Sequence, residues 1–271
     1  MDDSADILRI LVPFDCSQAG RLALQATAEF EWQMPVKIFV LTVEEDIGAR
    51  AQPVNAGSEL SQWISAFPPA IKIHPLHVTG RFVDSVLDVV DTHHIDLIVV
   101  GTRGARGWDG VFMGSHAERI VRVAPVPVLS IQQRPHFART AEILVPVDIH
   151  SDPAELRVCL SRYSQMLDSR FHLLYIDTDA PGIGRASAQQ LEEYAQKLAL
   201  SHCVTSVVIA EDITEAILKF AAQIGADMIA MGTLGNPDPA HMFRPSITAD
   251  VVNHARIPVL TCPLRQVLIS H

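Results

Sequence analysis

The chain repeats itself. Ile10-Leu11-Val12-Pro13-Phe14-Asp15 returns as Ile143-Leu144-Val145-Pro146-Val147-Asp148. Asp96-Leu97-Ile98-Val99-Val100-Gly101-Thr102-Arg103-Gly104 returns as Asp227-Met228-Ile229-Ala230-Met231-Gly232-Thr233-Leu234-Gly235. Ala124-Pro125-Val126-Pro127-Val128-Leu129 returns as Ala255-Arg256-Ile257-Pro258-Val259-Leu260. The offset is 133 residues from Val12 to Val145, and 131 from both Gly101 to Gly232 and Pro127 to Pro258. Three pairs in order at a nearly constant offset mean duplication of one unit, and a duplicated unit must fold the same way twice. The polar stretch Gln133-Arg134-Pro135-His136 marks the junction, which gives domains of residues 1–134 and 140–271.

Each half alternates short apolar runs with longer amphipathic ones. In the first half the runs are residues 10–14, 36–43, 71–78, 97–100 and 128–131. They are rich in Val, Ile and Leu, as strands covered on both faces are. Ser17 is a candidate cap for a helix reaching to about Phe30. Residues 82–93 place Val83, Val86, Leu87 and Val90 on one helical face. Ser115 followed by Glu118 reads as a capping box for a last helix. The segment 44–57 is the least regular and reads as a surface loop. Strands alternating with helices predict an α/β fold of parallel sheets with right-handed crossovers. The expectation is two tandem doubly wound, five-stranded parallel-sheet domains with a Rossmann-like or flavodoxin-like strand order.

Composition narrows the function. A chain of 271 residues with 48% apolar residues has enough material for two cores. No apolar run approaches the ~20 residues of a membrane span. The acidic start, Met1-Asp2-Asp3-Ser4-Ala5-Asp6, is unlike a secretory leader. Cys16, Cys159, Cys203 and Cys262 are isolated, with no CxxC pair, which predicts a reducing, cytoplasmic setting without a disulfide framework. A formal net charge of −10 argues against a nucleic-acid partner. A small anionic ligand is compatible with it, because backbone N–H groups and a helix N-terminus hold phosphate without a basic surface.

In doubly wound sheets ligands gather at the carboxyl ends of the strands, where the strand order reverses. Asp15 follows the first strand, and Gly101-Thr102-Arg103-Gly104 the fourth. Nine residues later Gly114-Ser115 opens the last helix, giving G-x2-G-x9-G-[ST]. This spacing resembles the ATP-binding signature of the universal stress protein family. Val12-Pro13-Phe14-Asp15 resembles the family's first strand with its adenine-side aspartate, and Pro127-Val128-Leu129 its last strand. The resemblance runs through nearly the whole chain, in two copies. It implies a cytoplasmic ATP-binding stress-response or signalling protein, with nucleotide in the first domain. The implied site is Pro13, Asp15, Val43, Val100, Gly101, Arg103, Gly104, Gly114, Ser115 and His116, with ATP as ligand and Mg2+ as an optional companion. It further implies an intramolecular pseudo-dimer through the last strands, residues 128–131 and 259–262, and a homodimer as an open question.

The residues support a physical reading of their own. Glycine lets backbone approach a phosphate closely. Gly114 and Ser115 present N–H groups at a helix start, where the dipole favours an anion. The competing reading makes Ser115 a plain cap, the glycines loop-shapers and Asp15 the cap of the following turn. Where the family often has Gly-Ser after the aspartate, this chain has Cys16-Ser17. Arg103 and Arg106 are either phosphate partners or solvated charges, and Gly80 is either a pocket glycine or a turn glycine.

The second half departs at the decisive turn. Its loop runs from Gly232-Thr233-Leu234-Gly235 to Pro245-Ser246, with Pro237 and Pro239 between. Proline has no N–H to offer a phosphate. Glu211 aligns in sequence with Gly80. The expectation is a degenerate second site and one nucleotide per chain. The 12 histidines show no zinc-site spacing, and no nucleophile elbow or Walker loop is present. Alternatives to the nucleotide-binding reading are a slow ATPase or autophosphorylating enzyme, and a nucleotide-free interaction scaffold. No catalytic residue is assigned.

Overall fold

The computed structural model describes residues 7–30, 32–45, 56–65, 67–68, 71–102, 115–134, 141–164, 169–178, 184–234 and 247–264. The chain divides into two compact units, Met1–Arg134 and Pro135–His271.

The first unit runs β1 (Leu8–Pro13), α1 (Gln18–Glu29), β2 (Val36–Glu44), α2 (Ala56–Ser65), β3 (Ile73–Thr79), α3 (Phe82–Thr92), β4 (Leu97–Gly101), α4 (Ser115–Val123) and β5 (Val128–Ile131). Its strand order is β3-β2-β1-β4-β5, all pairs parallel. The order is Rossmann-like and reverses between β1 and β4. Leu11 and Val12 of β1 and Ile98 and Val99 of β4 are fully buried, as central strands covered on both faces must be. Each such side chain contributes about 1.5–3 kcal/mol of burial. β3 is an edge strand, and it carries Pro75, whose missing N–H a central strand would not tolerate.

The second unit runs β6 (Ala141–Pro146), α5 (Ala154–Ser164), β7 (Ser169–Asp177), α6 (Gly184–Leu198), β8 (Cys203–Ile209), α7 (Ile213–Ile224), β9 (Met228–Leu234), α8 (Ile247–His254) and β10 (Val259–Leu264). Its order is β8-β7-β6-β9-β10, again all parallel.

The duplication extends to single hydrogen bonds. Arg9 N–H donates to Asp96 Oδ2 at 2.8 Å, and Glu142 N–H to Asp227 Oδ2 at 2.9 Å. Ile98 N–H meets the Pro127 carbonyl at 3.0 Å, and Ile229 N–H meets that of Pro258 at 3.0 Å. The left-handed residue ending α3 is His94 (φ 51), and its counterpart ending α7 is Gly225 (φ 64).

Several expectations need correcting. The segment read as a loop ends inside α2, whose short length gave a weak periodic signal. On α3 the inward face holds Val83, Val86, Val89 and Val90, so Val89 replaces Leu87 in the core. α4 does open at Ser115, and Glu118 Oε1 accepts from Arg122 one turn on at 2.8 Å, while the side chain of Ser115 lies outside what is described. The third strand begins at Ile73, two residues later than expected. The largest correction concerns cysteine. Cys159 and Cys262 form a disulfide across 103 residues, with Cα atoms 6.2 Å apart. Isolation along the sequence does not bear on distance in the fold, which lays α5 against β10.

Candidate functional site

The carboxyl edge of the first sheet carries the strand ends and helix starts at Pro13, Asp15, Val43, Val100, Gly101 and His116. β1 ends at Pro13, and Phe14 N–H extends the ladder to the Leu41 carbonyl at 2.7 Å. The chain then turns sharply. Asp15 Oδ1 accepts the Ser17 N–H at 3.0 Å, and Ser17 Oγ accepts the Gly20 N–H at 3.0 Å. This places Asp15 at the exposed rim, with one carboxylate oxygen fastening the turn that starts α1. Cys16 completes the turn at φ 59, in the left-handed region where a side chain costs about 1–2 kcal/mol.

α1 then presses on the end of β4. A Cβ added at Gly101 would overlap the Ala19 carbonyl, which is backbone and cannot swing away. A Cβ at Gly20 would lie 2.9 Å from Asp15 Oδ1. These glycines are required by the seating of α1 beside the β1/β4 reversal, whatever else the edge binds. The residue after Gly101 is Thr102, which is buried and donates its N–H to the Ile131 carbonyl at 3.1 Å. That bond anchors the start of the segment leading to α4.

A second group of residues closes the other side of the edge. Glu45, just past β2, accepts the Phe82 N–H at 2.9 Å through Oε1. The same oxygen lies 3.9 Å from His116 Nε2. The His116 ring stacks on Phe82, with centroids 4.4 Å apart and planes inclined by 17°. So Glu45 ties together the end of β2, the start of α3 and the start of α4. Arg81, the residue before α3, supplies no side-chain cap, and Glu45 answers the orphan N–H from a distance.

Of the expected site residues, Pro13 and Val100 are buried at the ends of central strands, and Val43 is half-buried near the end of β2. Asp15, Gly101 and His116 lie on the same carboxyl edge. Arg103, Gly104 and Gly114 fall outside the described residues. Glu45, Phe82 and Thr102 were not foreseen. Their signal was positional, since each directly follows a strand or opens a helix at that edge.

The second unit repeats the edge with different contents. Asp148 Oδ1 accepts the His150 N–H at 2.9 Å, the same turn as at Asp15. α5 nevertheless begins eight residues after β6 ends, whereas α1 begins five after β1. The added residues place Ser151 against Tyr194, with Oγ and hydroxyl 3.3 Å apart. Tyr194 is buried, and burial raises its hydroxyl pKa; the nearby Asp148 and Asp152 carboxylates push the same way, against the Ser151 hydrogen bond. The side chain of Leu264 lies where a Cβ on Gly232 would go, and Thr248 donates to the Gly232 carbonyl at 3.2 Å. The ladders also correct one alignment. Gly80 N–H donates to the Glu44 carbonyl and Ala210 N–H to that of Asp177, so Ala210 is the counterpart of Gly80 and Glu211 falls one residue beyond. Gly235, Pro237, Pro239, Pro245 and Ser246 lie outside the described residues. Among the described residues, no group of three His, Cys, Asp or Glu side chains is placed to hold a metal, and no helix is long and apolar enough to cross a membrane.

Two Rossmann-like sheets, each with an aspartate turn beside the strand-order reversal, define a tandem α/β protein with doubly wound parallel sheets. The family model for the "Universal stress protein family" matches residues 7–132 and again 141–263. The chain belongs to the universal stress protein family, in tandem form. It is 26% identical to a universal stress protein of Synechocystis over 196 residues, covering 70% of this chain and 64% of that one. It is 22% identical to a universal stress protein of Mycobacterium bovis over 254 residues, covering 86% of each. Among solved structures, a universal stress protein of Archaeoglobus fulgidus matches with a TM-score of 0.73 at 19% identity, over 94% of this chain and 98% of that one. That likeness is one of fold.

Proposed function

We propose that the first domain binds ATP or a closely related adenine nucleotide at the β1/β4 reversal, and that the second domain does not. The observation that carries this reading is the run Gly101-x2-Gly104-x9-Gly114-Ser115, which leaves the end of β4 and enters α4. The start of α4 supplies N–H groups and a positive dipole end for phosphate. Asp15 and Val43, on the strands at and beside the reversal, take the adenosine side. His116, held by Glu45 and Phe82, fixes the approach of α4. In the second unit, Pro245 replaces the N–H-bearing glycine, and Leu264 and Thr248 already occupy the two sides of Gly232.

In this reading the protein is a cytoplasmic stress-response component whose nucleotide state alters conformation or partner choice. Calorimetric titration of the full chain with ATP is expected to give one site per chain. Gly114→Pro is expected to weaken that binding at least tenfold, with unchanged secondary structure. Two equivalent sites, or undiminished affinity in the folded variant, would overturn the assignment.

A further inference from the structure

We propose that Cys159 and Cys262 form a reversible dithiol–disulfide centre that fastens α5 to the second sheet, and that reduction by a dithiol reductant releases the helix. This does not rest on the nucleotide reading.

The case begins with how little apolar side chain α5 buries. Among residues 154–162, the side chains fully inside are those of Leu156 and Leu160. Val158 points outward at 69% exposure, and Arg157 and Arg162 are exposed. The corresponding helix of the first unit, α1, buries Ala19, Gly20, Ala23, Leu24, Ala26 and Thr27, and closes onto the backbone at Gly101. At the matching glycine of β9, Gly232, the neighbouring group is the Leu264 side chain and not helix backbone. The disulfide supplies what close packing supplies in the first unit. Its two ends differ in depth. Cys262 is fully buried on β10, in the place of Ile131 of β5, while Cys159 is on the half-exposed side of α5. An apolar residue in the one sheet has thus become a cysteine in the other, opposite a second cysteine on the covering helix.

The chemistry follows from that asymmetry. A thiolate of the reductant attacks Cys159 Sγ, on the less buried of the two residues. The S–S bond breaks, and its electron pair leaves with Cys262 Sγ, which takes up a proton. The second thiolate of the reductant then attacks the reductant's own sulfur in the mixed disulfide. Cys159 leaves as a thiol after protonation, and the reductant departs as an internal disulfide. Two electrons pass from the reductant to the protein. With the bond gone, Leu156 and Leu160 remain as the buried apolar side chains among residues 154–162, and the helix opens locally while the strands stay paired.

The test uses the full chain purified without reductant. Alkylation under denaturing conditions is expected to label two cysteines, Cys16 and Cys203, and all four after treatment with dithiothreitol. Hydrogen exchange with and without dithiothreitol is expected to show amides of α5 exchanging at least tenfold faster in the reduced protein, with α1 and strands β6, β7 and β9 unchanged. Cys159→Ala is expected to show the fast exchange without reductant and no further response to it. Four labelled cysteines before reduction, or equal α5 protection in both states, would overturn the proposal. So would loss of protection throughout the second sheet on reduction, which would make the bond a support of the whole domain.

Discussion

α1 and α5 descend from one duplicated helix, and they cover their sheets by different physics. α1 lies close because the glycine at 101 lets β4 meet the Ala19 backbone, and the small residues of α1 fill the interface. α5 starts three residues later relative to its strand, leaves the glycine of β9 to a leucine side chain, and is fastened by a disulfide. In the first arrangement the Ala19 carbonyl and the Asp15 turn border the carboxyl edge beside β1 and β4. The second fills that edge with Leu264, Thr248, Ser151 and Tyr194.

The comparison breaks most visibly at the two strand-end glycines. Gly101→Ala is expected to cost about 3 kcal/mol, because the added methyl meets the Ala19 carbonyl and only a shift of α1 relieves it. Gly232→Ala is expected to cost about 1 kcal/mol, because the end of the Leu264 side chain can rotate away. Urea unfolding read through hydrogen exchange of each sheet measures both. Equal costs would show that α1 and α5 are seated alike.

The helix ends sharpen it next. His94 and Gly225 hold the same left-handed position. His94→Gly is expected to stabilise the first unit by about 1 kcal/mol, and Gly225→His to destabilise the second by about as much. A stabilising Gly225→His would mean that the histidine makes a contact worth more than the backbone strain.

The smallest effect concerns the start of α3 and α7. Asp212 accepts the Glu215 N–H at 2.9 Å and caps α7, so Asp212→Ala is expected to cost about 1 kcal/mol of second-unit stability. Arg81→Asp is expected to gain only about a few tenths. It would abandon the Arg81–Asp84 ion pair at 3.6 Å, in a place where Glu45 already serves the Phe82 N–H. A gain as large as the Asp212 loss would show that Glu45 adds nothing to the cap of α3.

The fold was legible because its signals are local and repeated. Buried runs such as residues 97–100 announce central strands, and Ser17 announced α1 with the cap bond that the structure forms. Misreadings arose where spatial neighbours decide. Val89 and Leu87 are equally apolar, and only the direction of the sheet below α3 selects Val89. Asp15 was visible as a turn or ligand residue, and its turn bond is present. Glu45 showed its position after β2 but not its role, because a carboxylate after a strand reads as a solvated charge until α3 and α4 arrive beside it.

By itself the sequence determined the duplication, the alternation of strand and helix, the family and the difference between Gly114 and Pro245. All of these are carried by residue identity at fixed spacing, where hydrophobic period and backbone freedom act within a few residues. The tertiary structure alone decided that Gly101 makes room for Ala19, that Glu45 joins three elements, and that Cys159 meets Cys262 across 103 residues. Contacts of that kind depend on distances that the chain acquires only when helices pack on a formed sheet, and no local spacing encodes them.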